Sequence, residues 1–132
     1  MERKKYYKHL FLIGAIWNFI VGGVFIVSSP LVESLIPMFG MELPPSLIFY
    51  QTFSGYVIIF GIGFYFVARD INKNHAIVVL GAIEKFFVFL LFLIYFILGY
   101  SNFLPILFII VDLIFGCLFV EFLVNFKKIE PR

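Results

Sequence analysis

Two oppositely charged residues, Glu84 and Lys85, stand side by side in AIVVLGAIEKFFVFLLFLIYFILG, an otherwise apolar stretch from Ala76 to Gly99. Asp112 and Glu121 lie in the apolar run that follows, and Asn18, Gln51 and Ser54 interrupt the two runs before it. An ionisable side chain at the bilayer centre costs about 2.5–3.5 kcal/mol on insertion scales, so it needs a partner inside the protein. Residues of these types can form a salt bridge that pins helices, a polar floor for an amphiphile's head, or a proton-handling site. Asn18, Gln51, Ser54, Glu84, Lys85, Asp112 and Glu121 are therefore the candidate polar-core and ligand-binding residues.

The helical rise of about 1.5 Å per residue gives each residue a depth. Lys85 falls about 15 Å from the start of its span, with Glu84 and Asn18 at nearly the same level. Asp112 lies about 14 Å from the opposite surface, with Gln51 and Ser54 shallower on that side. Helical side chains lean toward the helix N-terminus. On that rule Lys85 and Glu121 approach along the membrane normal, whereas Lys85 and Asp112 diverge. The sequence thus predicts an inner layer of Asn18, Arg69, Glu84, Lys85 and Glu121 and an outer layer of Gln51, Ser54 and Asp112. Glu84 and Lys85, being adjacent on a helix, are not expected to pair; Arg69 is the expected partner of Glu84.

Four apolar runs must position these groups. The predicted spans are 9–29, 46–68, 76–99 and 103–126, an all-α up-down-up-down bundle of four transmembrane helices in one domain, 1–132. Gly14, Asn18 and Gly22 recur every four residues in the first span and offer a groove for close helix approach. PLVESLIPMFG (Pro30–Gly40) is too short to cross and reads as an interfacial helix, with Ser29 as its N-cap and Pro30 in its first turn. It could serve as a lid. MERKKYYK reads as a basic tail with Tyr6 and Tyr7 at headgroup level. Basic residues before an apolar run resemble a signal peptide, but the run is long and has no A-x-A-like site, so an uncleaved first span is expected.

The chain is 63% hydrophobic and 14% charged over 132 residues, more apolar side chain than a soluble domain of this size can hide. Nine of its ten Lys and Arg residues fall in the N-terminal tail, the loop between the second and third spans, or the C-terminal tail; the tenth is Lys85. The positive-inside rule then puts both termini in the cytoplasm of a cell-membrane protein. The same bias disfavours dual topology, and with it the small multidrug transporters and fluoride channels. The basic residues flank spans, which points to anionic lipid headgroups and not to nucleic acid.

Cys117 is the single cysteine, so no intramolecular disulfide exists, and it reads as a small packing residue. The twenty phenylalanines read as core or lipid-facing filler. His9 and His75 fall at the cytoplasmic edge, which disfavours haem ligation between them. The sequence has no Gly-rich phosphate loop, Ser/His/Asp set or metal-ligand cluster, and no catalytic activity of its own is expected.

Gly14 to Pro30, Gly55 with GIGFYFVARD (Gly61–Asp70), LGAIEK (Leu80–Lys85) and VDLIFG (Val111–Gly116) together resemble the DoxX-like group of small four-helix membrane proteins. The resemblance covers most of the chain. It implies a four-helix membrane fold and, through the quinone-linked thiosulfate-oxidising members of the group, a quinone as a cofactor to consider. Eukaryotic four-helix proteins that help fold or export other membrane proteins are similar.

Two functions follow. The first is a non-catalytic membrane protein that binds a lipid-like or quinone-like molecule, or a membrane-protein partner, through its polar interior; a homo-oligomer is compatible with it. The second is a membrane subunit of a DoxX-type quinone-linked oxidoreductase, or a small proton-coupled transporter, with Glu84, Lys85 and Asp112 as working groups. The chain lacks an internal repeat and any mid-span proline, which weighs against transport.

Overall fold

The computed structural model describes residues 2–129, and side chains up to Phe126. The helices are α1 (Glu2–Val27), α2 (Val32–Met38), α3 (Leu47–Arg69), α4 (His75–Ile97) and α5 (Leu104–Ile129), with a 3-10 turn at Ser29–Leu31 between α1 and α2. Four of them, α1, α3, α4 and α5, are long and apolar enough to cross a membrane, and no strand occurs among the described residues. The protein is an all-α, multi-pass membrane bundle in which successive spans run antiparallel.

Local chemistry explains the punctuation. Ser46 caps α3 by accepting the Ile48 N–H at 3.4 Å. The α4 helix ends in a Schellman turn: Gly99 has φ +80°, Tyr100 N–H donates to the Tyr95 carbonyl and Gly99 N–H to Phe96. Between α3 and α4, Asp70 accepts the Asn72 N–H at 3.1 Å and pairs with Lys73 at 3.2 Å. The Asn72 N–H first, then Lys73, hold the Asp70 carboxyl below the usual carboxylate range.

Two sequence expectations about α1 and α2 are corrected. α1 starts at Glu2 rather than near His9: Tyr7 is buried against Phe122 and hydrogen-bonded to Glu121, docking the first turns. Ser29 does not cap α2. Its hydroxyl donates back to the Phe25 and Ile26 carbonyls at 3.2 and 2.7 Å, closing α1 instead.

The spans pair off. Closest backbone approach is between α1 and α3 and between α4 and α5, with less between the pairs. Glycines make the close seams. A Cβ on Gly22 would lie 2.9 Å from the Ser54 carbonyl, and one on Gly61 would lie 3.1 Å from the Asn18 Cβ. Between the pairs, at the end where the chain's described termini lie, aromatic rings fill the core: Phe11 stacks on Phe119 at 5.1 Å, and Phe64 meets Phe119 at 4.8 Å. On α4 the core stops at Lys85, and no residue of that helix beyond it is buried. At the other end α2 reaches across to the α4–α5 turn, where Asn102 donates its side-chain amide to the Met38 carbonyl at 2.7 Å and its backbone N–H to the Phe39 carbonyl at 2.8 Å.

Candidate functional site

Lys85 is 2% exposed on the face of α4 that meets α5. Gly116 permits this: a Cβ there would lie 3.2 Å from the Lys85 Cβ, so the two helices close on each other at the root of the lysine. Asp112 stands one helical turn from Gly116 on the same face. The ammonium donates to Asp112 Oδ1 at 2.9 Å and to Asn18 Oδ1 at 2.9 Å. It also lies 3.6 Å from Glu84 Oε2 and 5.8 Å from the centre of the Phe64 ring.

Asn18 links both helix pairs. Its oxygen accepts the Lys85 hydrogen bond while its amide N–H donates to the Val57 carbonyl of α3 at 3.1 Å. Trp17 donates its indole N–H to Asp112 Oδ1 at 3.2 Å. One cluster thus joins α1, α3, α4 and α5 at the edge of the aromatic core. Lys85 and Asn18 are sealed, but the side chains of Asp112 and Glu84 keep 18% and 20% of their surface accessible.

The candidate residues divide. The structure brings together Asn18, Glu84, Lys85 and Asp112, and leaves out Gln51, Ser54 and Glu121. Gln51 is exposed on the outside of α3. Ser54 is fully buried, but its hydroxyl donates to the Tyr50 carbonyl of its own helix at 2.8 Å. Glu121 belongs to a second cluster nearer the described termini, accepting from Tyr7 at 2.8 Å and Asn125 at 3.0 Å.

The predicted partners are therefore corrected in three places. Lys85 pairs with Asp112, not Glu121, because the long lysine stem overrides the N-terminal lean once Gly116 lets α4 and α5 meet. Glu84 does reach Lys85: adjacent stems diverge, yet the ammonium at the end of a four-carbon chain comes within 3.6 Å. Glu84 does not reach Arg69; the latter is exposed and lines a shallow cavity with Lys8, His9 and Tyr65 at the terminus end. No two-layer arrangement results.

Sequence reasoning missed Trp17, Tyr7 and Asn125. The usable signal was an indole N–H in mid-span, which must find an acceptor when buried. His9 and His75 each bond a carbonyl one turn earlier, Lys5 and Ile71, at 2.7 Å. His75 also packs edge-on against Phe126 at 4.1 Å. Cys117 is exposed on α5 rather than packed.

The fold and cluster define a class: a multi-pass membrane protein whose helices carry a mixed-charge polar network in mid-span. Comparison with protein-family models, curated proteins and solved structures finds no match to this chain.

Proposed function

We propose that this protein sits in the cell membrane with both termini in the cytoplasm and binds a lipid-like or quinone-like amphiphile, whose polar head meets the Asn18–Glu84–Lys85–Asp112 cluster. The carrying observation is the position of that cluster. It holds a buried ammonium at 2.9 Å from Asp112, yet leaves the Asp112 and Glu84 side chains partly accessible beside apolar helix faces. A knot serving only to tie helices would gain from being sealed on every side. The basic residues Lys8, Arg69 and Lys73 gather at the terminus end, which supports the cytoplasmic assignment.

The DoxX-like reading remains part of this proposal. Its supports are the residues of the resemblance, among which Gly61, Gly81 and Gly116 make tight helix contacts and Lys85 anchors the cluster.

The test is native mass spectrometry of gently extracted protein with identification of bound lipid and quinone. A stoichiometric amphiphile, lost in Asp112→Asn and Lys85→Met, is the expected result. Bare protein, or bulk lipid alone in both wild type and variants, would overturn the reading and turn the search to a membrane-protein partner.

A further inference from the structure

The cluster does not balance its charge. Two carboxyls, Glu84 and Asp112, face one ammonium, and Lys85 is the only cation ion-paired to either among the described residues. Lys85 is already committed, donating to Asp112 and Asn18 at 2.9 Å each. Glu84 Oε2 is buried without a hydrogen-bond partner among the described residues. Neither protonation state of Glu84 is satisfied by the protein. Ionised, it is a surplus negative charge in a low-dielectric setting; as an acid, it has no acceptor for its O–H. A donor cation brought from outside answers the ionised form, supplying both the missing countercharge and a hydrogen-bond donor.

The surroundings say what must carry that cation. Glu84 lies on α4 just past the α3–α4 contact at which the Phe64 ring packs on Gly81. On the same side of α4, one and two turns on, stand Val88 and Phe92, both half-buried. A ligand anchored at Glu84 therefore runs its remaining length along apolar side chains. Resting on the amphiphile-binding reading above, we propose that Glu84 is the subsite for a positively charged hydrogen-bond donor, so that the protein selects single-chain lipophilic ammonium compounds over neutral amphiphiles of equal length.

Trp17, the chain's single tryptophan, is hydrogen-bonded to Asp112 inside the cluster and reports on it directly. The full chain, reconstituted in phosphatidylcholine vesicles, is titrated with decylammonium and with decanol while Trp17 emission is followed. The expected result is a saturable response to decylammonium, at least tenfold weaker for decanol. It should weaken at least tenfold in Glu84→Gln and survive in Glu84→Asp, which keeps the charge. Circular dichroism of each variant checks the fold. Equal responses to both probes, unchanged by Glu84→Gln, would overturn the ammonium selectivity while leaving amphiphile binding standing. Loss in both Glu84 variants with helicity intact would also overturn it. Silence toward both probes, together with bare protein in native mass spectrometry, would overturn both readings.

Discussion

The two ends of the bundle are built differently. At the terminus end the helix pairs are locked by interleaved rings, with Tyr7, Phe11, Phe64, Phe119 and Phe122 all at most 1% exposed. At the α2 end the α1–α3 seam stays tight at Gly22, but α4 buries nothing beyond Lys85, and the two pairs are bridged by a polar link between α2 and Asn102. Lipid tails are as apolar as leucine, so helices in a bilayer gain little by hiding apolar surface from them. What holds spans together is packing detail and polar contact. The terminus end has the first in quantity, and the Lys85 cluster supplies the second at the boundary between the two regimes. The division leaves one half ring-packed while the other presents apolar helix faces beside partly accessible acidic side chains.

The largest expected effect comes from breaking that boundary. Lys85→Met leaves two carboxyls without their cation and should destabilise by about 3–5 kcal/mol, the range for breaking a buried ion pair from one side. Adding Asp112→Asn should restore part of this, with a coupling of at least about 0.5 kcal/mol, because the two residues share one bond. Adding Glu121→Gln instead should be additive within about 0.5 kcal/mol, since Glu121 shares no partner with Lys85. Unfolding in mixed dodecylmaltoside–SDS micelles, followed by far-ultraviolet circular dichroism, measures all three. A Lys85–Glu121 coupling as large as that with Asp112 would break the account of two separate clusters.

Glycine substitutions sharpen the contrast between the ends. A Cβ on Gly81 would strike the Phe64 ring, itself wedged against Phe119, so Gly81→Val should cost about 1–3 kcal/mol by overpacking. Gly55 lies in the looser half, and a Cβ there would have nothing within 4 Å. Gly55→Ala should therefore be neutral or up to about 1 kcal/mol stabilising through helix propensity. Equal costs at the two sites, in the same unfolding assay, would show that the α2 end is packed as tightly as the other.

The four spans and their alternating directions were legible because apolar run length and turn residues are properties of the chain taken in order. Depth was legible too: Asn18, Glu84 and Lys85 share a level and do meet. What the chain does not carry in order is azimuth, which faces of which helices oppose. Lean places Asp112 in another layer, while its partner is decided by Gly116, a glycine whose meaning depends on α4 lying against it. Lean pairs Glu121 with Lys85, but Tyr7 of α1 takes it, and an apolar run that starts near His9 leaves Tyr7 in the tail. Gln51 and Ser54 show the complementary failure: a polar residue in a span can end on the outside face or satisfy itself on its own helix.

Asn102 tests the bridge at the looser end. Its side chain donates to the Met38 carbonyl at 2.7 Å and accepts the Leu104 N–H at 3.0 Å at the start of α5. Asn102→Ala should cost about 1–2 kcal/mol through the lost cap and link. Its signature should be local: faster amide hydrogen exchange over 32–39, with no change in α4 near Lys85. Exchange that rises throughout the bundle would mean that the α2 bridge supports the whole fold.

Among the polar contacts, the smallest cost belongs to the second cluster. Tyr7→Phe removes the hydroxyl that donates to Glu121 but keeps the ring, which stands edge-on to Phe122 at 4.9 Å. Asn125 still donates to Glu121 at 3.0 Å, so the carboxyl is not left without a partner. Interhelical hydrogen bonds in membrane proteins average about 0.6 kcal/mol, and Tyr7→Phe should cost about that. A double-mutant cycle with Glu121→Gln should give a coupling smaller than that of Lys85 with Asp112. The reason is physical: at the terminus end, ring packing already fixes α1 against α5, and the hydrogen bond only trims the geometry. At the core's edge no such packing continues, and the polar contacts carry the join between the helix pairs. A Tyr7→Phe variant as damaged as Lys85→Met would invert that assignment and make the Tyr7–Glu121 bond the tie that holds the bundle closed.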